Sequence, residues 1–128
     1  SLMNSSSKIG QNTFSKEERI TNKTVIDKLF KSGKRIGMYP FDVRYIIERK
    51  NLFNKVLVTA AKGKIKSSVK RNLLKRRIKE SYRLNKSILN QNVKYNIAFI
   101  YSSDKILSYN DINNSLIKIL KKISSENE

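Results

Sequence analysis

Between Ser68 and Lys86 the chain reads SVKRNLLKRRIKESYRLNK, with no glycine or proline to interrupt a helix. At about 100° per residue, Arg71, Asn72, Lys75, Arg76, Lys79, Tyr82, Arg83 and Lys86 fall on one arc, and Val69, Leu73, Leu74, Ile78, Leu84 and Ile88 on the other. The pattern predicts a helix fixed to a core by one side and basic on the other. A solvated helix ordinarily intersperses acids to form i,i+4 pairs, but Glu80 is the one acid here. Cations without protein partners point to an anionic partner, and nucleic acid fits best.

The rest of the composition agrees. Net charge is +18, from 28 Lys+Arg against 10 Asp+Glu in 128 residues. Self-repulsion of that size costs stability and is relieved by a polyanion. The length suits one domain, and 38% hydrophobic residues fill one modest core. The chain has no Cys and no His, so it lacks a thiol nucleophile, a Cys-based zinc site and the commonest general base. No apolar run approaches a membrane span or a signal-peptide core, and a cytoplasmic location is expected.

Residues 1–16 read as a disordered polar tail, with Ser1-Leu2 ahead of Met3 as a cloning remnant. Thr21 or Asn22 caps a first helix whose apolar stripe is Val25, Ile26, Leu29 and Phe30, and Gly33 stands where a C′ residue would end it. Phe41 to Glu48 alternates as a half-buried strand, Phe41, Val43, Tyr45 and Ile47 against Asp42, Arg44 and Ile46. A turn at 51–54 leads to a strand at Lys55–Ala61, then a basic loop carrying Lys62, Lys64 and Lys66. Tyr95–Tyr101 reads as another strand. Ser108 and Asp111 cap a last helix with Ile112, Leu116, Ile119, Leu120 and Ile123 buried, and 124–128 reads as a C-terminal tail. The order is helix, two or three strands, helix, strand, helix: a single-domain α+β sandwich with a small mixed sheet over residues 17–123.

The segment Lys62–Lys86 resembles the protein subunit of bacterial ribonuclease P. Val69, Arg71, Asn72, Lys75, Arg76, Glu80, Tyr82 and Arg83 occupy positions of that family's basic-helix motif. Leu29-Phe30-Lys31-Ser32-Gly33-Lys34 is similar to its first helix end, and Tyr39-Pro40-Phe41 to the entry of its first long strand. The resemblance spans about residues 17 to 123. Leu73 replaces the second Arg of the Arg-Asn-Arg triplet, Arg77 stands at a usually aliphatic position, and Lys79 replaces an Arg. Positions 73 and 77 share a helical stripe, so their apolar and cationic roles are expected to be exchanged, with Arg77 snorkelling outward.

The resemblance implies a subunit that binds the catalytic RNA of ribonuclease P and assists removal of the 5′ leader from precursor tRNA. It implies that catalytic groups and magnesium belong to the RNA, with no cofactor on the protein, and a left-handed βαβ crossover holding the basic helix. One protein monomer is expected per RNA. On the RNA-facing surface, Lys62, Lys64, Lys66, Arg71, Lys75, Arg76, Lys79 and Arg83 would meet phosphates, and Asn72 the backbone or a base edge. A leader cleft between sheet and first helix needs stacking surfaces and charge, for which Phe30, Tyr39, Tyr45 and Arg44 are candidates. Phe30 and Tyr45 also suit core positions, and Arg44 and Tyr45 face opposite ways, so only one of that pair can enter the cleft.

Other classes compete with this reading. A ribosomal or RNA-assembly protein accounts for the charge without any part in cleavage. A helix-turn-helix DNA binder would need a short turn and a partner helix before residue 68, and neither is legible. A self-contained nuclease would need paired acids at a two-metal spacing, which the few carboxylates do not offer.

Overall fold

The computed structural model describes residues 18–126; the expected tail at 1–16 lies outside them, as do residues 127 and 128. Helix α1 (Lys23–Ser32) begins at Asn22, whose side chain accepts from the backbone N–H of Thr24 at 2.8 Å and of Val25 at 3.4 Å. Gly33 ends the helix, but with φ −70° and ψ 146° it is extended rather than left-handed. Its glycine identity has a steric cause: a Cβ there would stand 2.3 Å from the Leu29 carbonyl oxygen.

Four strands follow the order β1-β2-β4-β3: β1 (Lys34–Met38), β2 (Phe41–Ile47), β3 (Lys55–Ala60) and β4 (Tyr95–Tyr101). Strands β1 and β4 both pair antiparallel with β2, whereas β3 runs parallel to β4, so the sheet is mixed. Joining β3 to β4 is helix α2 (Ser68–Asn85), extended by a 3₁₀ turn over Lys86–Ile88. Helix α3 (Tyr109–Glu126) closes the chain, its start fixed by the Asp111 N–H donating to Ser108 Oγ at 3.2 Å. It runs to Glu126 and so takes in residues expected to be tail. The Tyr45 hydroxyl donates to Glu126 Oε1 at 2.7 Å, tying that last turn to the sheet.

The two faces of the sheet are covered differently. Helices α2 and α3 pack on one, over Phe41, Val43, Tyr45, Val56, Tyr95, Ile97, Phe99 and Tyr101. The rings there meet edge to face, Phe41 with Phe99 and Tyr101 at 6.1 Å and Tyr45 with Tyr95 at 6.0 Å, an arrangement that aromatic quadrupoles favour. Helix α1 lies on the other face, where Leu29 joins Ile20 and Ala98, flanked by Val25, Ile26, Ile46 and Leu57. Residues ahead of α1 line the outer edge of β3: the Ile20 N–H donates to the Val56 carbonyl at 3.0 Å, and Arg19 bridges Val56 in parallel.

Helix α2 is rotated from its expected orientation. Its buried residues are Leu74, Ile78, Ser81 and Tyr82, while Val69 is 76% exposed and Leu84 46%. Tyr82, assigned to the basic arc, lies at the border of the two sectors at 100° per residue. Its ring falls inward to within 5.9 Å of Phe99. Polar residues complete the α2–α3 seam: Ser81 Oγ donates to Asn113 Oδ1 at 2.7 Å, and Asn85 Nδ2 donates to the same oxygen at 2.8 Å.

Candidate RNA interface

The basic surface begins where β3 ends. Lys62, Lys64 and Lys66 are exposed, and between them Ile65 is buried and anchors the loop. The Lys64 and Ile65 N–H groups both donate to the Ala61 carbonyl at 3.0 Å. Arg71, from the first turns of α2, donates through one guanidinium nitrogen to the carbonyls of Ile65 at 2.7 Å and Lys66 at 2.9 Å. The cation thus fastens loop to helix while remaining half-exposed.

Along α2, Asn72 and Arg76 are exposed and Lys75, Lys79 and Arg83 half-buried. Arg83 pairs with Glu80, donating from Nε at 3.2 Å, and this hydrogen bond holds the Glu80 carboxyl below its usual range. Burial, and then the nearby charges of Arg19 and Lys75, push the Lys79 ammonium pKa down. Arg19 therefore belongs to the same positive surface. Sequence reasoning missed it because only the long-range pairing of residues 19–20 with β3 brings it there. Arg77 points elsewhere, donating to the Leu107 carbonyl at 2.6 Å ahead of α3, while Leu73 on the same stripe is half-exposed.

A second surface lies on the α1 side of the sheet. Strand register puts Arg35, Arg44, Ala98 and Leu57 in one row across the four strands, and Gly37, Asp42, Ile100 and Thr59 in the next. Helix α1 packs on Ile46, Leu57 and Ala98, leaving the second row beyond it. At the edge of α1, Phe30 is 42% exposed. The Arg44 guanidinium lies 5.5 Å from its ring centroid and donates to the Phe30 carbonyl at 3.1 Å.

Of the four residues expected in a leader cleft, the fold brings together Phe30 and Arg44. Tyr45 cannot serve there. Side chains alternate across a strand, and Tyr45 is turned into the α2–α3 core with its ring on Tyr95 and its hydroxyl on Glu126. Tyr39 is 62% exposed but sits at the β1–β2 turn, where its hydroxyl meets Ser103 Oγ at 2.9 Å and its carbonyl accepts from Ser115 Oγ at 2.8 Å.

Among the described residues no three of His, Cys, Asp and Glu come together. No described helix is long and apolar enough to cross a membrane.

A crossover helix with a nearly acid-free outer face, on a sheet whose other face is edged by an exposed aromatic ring and an arginine, defines an α+β protein with a strongly basic surface suited to a polyanion. The chain belongs to the ribonuclease P protein family, whose model, described as Ribonuclease P, matches residues 14–124. It is 33% identical over 117 residues to the ribonuclease P protein component of Porphyromonas gingivalis, covering 86% of this chain and 85% of that protein. It is 37% identical over 110 residues to that of Clostridium botulinum, covering 84% and 95%. The fold is that of the Staphylococcus aureus RNase P protein, with a TM-score of 0.70 at 24% identity over 83% of this chain and 94% of that one. The RNase P protein of Thermotoga maritima superposes with a TM-score of 0.71 at 21% identity, over 83% and 97%.

Proposed function

We propose that this chain is the protein subunit of ribonuclease P, the endoribonuclease that removes the 5′ leader from precursor tRNA. Family membership supports that role, and the observation that carries the mechanism is the basic face of α2. There Asn72, Lys75, Arg76 and Lys79 stand with the loop lysines, and Glu80 is already paired to Arg83. The partner for that surface is the catalytic RNA. A-form RNA hides its base edges in a deep, narrow groove, so these cations act on phosphates and shape.

The Phe30–Arg44 surface takes the leader. A single strand binds by stacking bases on aromatic rings while cations follow its backbone, and the open row beyond α1 gives it a floor. The protein's residues hold the strand straight and away from the RNA fold. Magnesium, held by the RNA, supplies the hydrolytic chemistry. The complex contains one protein per RNA and works in the cytoplasm, where tRNA precursors are made.

The test is cleavage of a 5′-extended precursor tRNA at low magnesium by a bacterial ribonuclease P RNA. The RNA is assayed alone, with this protein, and with an unrelated protein of matched charge. Cleavage at the mature 5′ end with this protein alone establishes the role. Equal rescue by both proteins shows that charge alone suffices in this assay, and tight binding to a cognate RNA without rescue assigns the chain to ribosomal or assembly RNA binding instead.

A further inference from the structure

Asp42 is out of place on a surface that takes RNA. Among the strand residues of the α1-side face, which alternate as Arg35 and Gly37, Asp42, Arg44 and Ile46, Lys55, Leu57 and Thr59, and Asn96, Ala98 and Ile100, it is the one acid. A carboxylate beside a phosphate chain repels it, so an acid on the floor must meet something other than phosphate. Its setting supplies that alternative. Asp42 Oδ1 accepts from Arg35 Nε at 3.0 Å and lies 3.7 Å from Arg44 Nε, which is buried without a hydrogen bond. The two guanidinium groups offset its charge toward a phosphate backbone, and the exposed Arg35 presents donors beside it. Next to it the floor is empty: a Cβ on Gly37 would meet nothing within 4 Å. Arg44 stands two residues along the same strand, its Cα about 7 Å from that of Asp42, and its guanidinium packs on the Phe30 ring.

The geometry points to Asp42 as the centre of a base-reading subsite in the leader cleft, selective for guanine. An ionised carboxylate offers about four acceptor sites, and Arg35 takes one. The Watson–Crick edge of guanine presents two adjacent donors, N1–H and N2–H₂, beside the acceptor O6. Two carboxylate oxygens flanked by a guanidinium are the complement of that sequence. Adenine and cytosine each offer one amino group beside a ring acceptor, and uracil one N–H between two carbonyls that a carboxylate repels. The order of preference is therefore guanine, then adenine and cytosine, then uracil. A base stacked on Phe30 places its neighbour in the strand over the Gly37–Asp42 row.

This inference rests on the leader reading, and the experiment separates the two. Binding of precursor tRNA to the reconstituted ribonucleoprotein is measured with each leader position set in turn to G, A, C or U, and with a leaderless tRNA as reference. With the unaltered protein, guanine at one position should bind on the order of tenfold more tightly than uracil. In Asp42→Asn, which keeps size and shape but puts a donor amide where the second oxygen was, that advantage should fall to within about twofold. The leader's average contribution should persist, and an unchanged melting temperature shows that the fold is kept. Equal binding of all four bases, with the leader still strengthening binding, overturns the guanine subsite and leaves the leader cleft standing. A guanine preference that survives Asp42→Asn also overturns it. A leader that adds nothing over the leaderless tRNA overturns both.

Discussion

Arg77 donates to the backbone carbonyl of Leu107 at 2.6 Å and thereby ties α2 to the segment that leads into α3. One residue earlier, Arg76 is exposed. Two adjacent arginines on one helix thus differ in setting, one tied into the fold and the other open to solvent.

The pair gives a clean contrast. Arg76→Ala should leave the melting temperature in place, weaken binding to the catalytic RNA and flatten the log–log salt dependence by roughly one unit. Arg77→Ala should cost about 1.5–3 kcal/mol of stability, the usual worth of a hydrogen bond to a charged group. Its salt slope should not change. Salt titration of RNA affinity, with thermal melting alongside, reads both.

Leu74 and Leu73 should separate as sharply. Leu74 has no exposed surface, so Leu74→Ala should cost about 2–5 kcal/mol in denaturant unfolding. Leu73→Ala removes a half-exposed side chain and should cost well under half as much. Comparable losses at the two positions would mean that α2 is rotated toward the orientation its apolar pattern alone suggests.

Lys79 should show stability and binding moving in opposite directions. Burial and the charges of Arg19 and Lys75 lower its folded pKa below the ordinary value of 10.5. The unfolded chain then holds the proton more tightly, so stability rises with pH through the window just below 10.5, and at neutral pH the charge opposes folding. Lys79→Gln should therefore melt slightly higher than the parent near pH 7 and lose that pH dependence. The same variant should bind RNA more weakly, with a salt slope reduced by about one unit.

Phe30 and Tyr45 should divide leader binding from stability. Phe30→Ala should weaken binding of precursor tRNA on the order of tenfold, as loss of one base-stacking platform does, and leave leaderless tRNA unaffected. Tyr45→Phe removes the hydroxyl that donates to Glu126. It should lower stability by about 0.5–1.5 kcal/mol without touching the leader's contribution. Competition binding with and without the leader, beside unfolding curves, distinguishes them.

The sequence was most legible where one period dominated. In α3 the five residues expected inside, Ile112, Leu116, Ile119, Leu120 and Ile123, are the five that are buried, and β4 spans Tyr95–Tyr101 as expected. Strand β1 was not legible, because Ile36 and Met38 are its only inward apolar residues and Lys34, Arg35 and Gly37 are weak strand formers. Tyr82 was misplaced because angle alone put it midway between faces; a large ring there is drawn to the core by the area it buries. The Ser81–Asn85–Asn113 network reads as surface until the α2–α3 pairing satisfies it. In the candidate site, the loop lysines and exposed helix cations follow from charge pattern. The meeting of Phe30 with Arg44, and of Arg19 with Lys79, depends on how α1 and the segment before it cross the sheet, which no local pattern encodes.

The Arg71 bonds to Ile65 and Lys66 decide when the loop between β3 and α2 loses its freedom. Ordering a backbone residue costs about 1–2 kcal/mol in conformational entropy, and here that loss belongs to folding. The main chain of Lys62–Lys66 is therefore shaped before any polyanion arrives, and a partner binding there would have only the flexible lysine stems left to still.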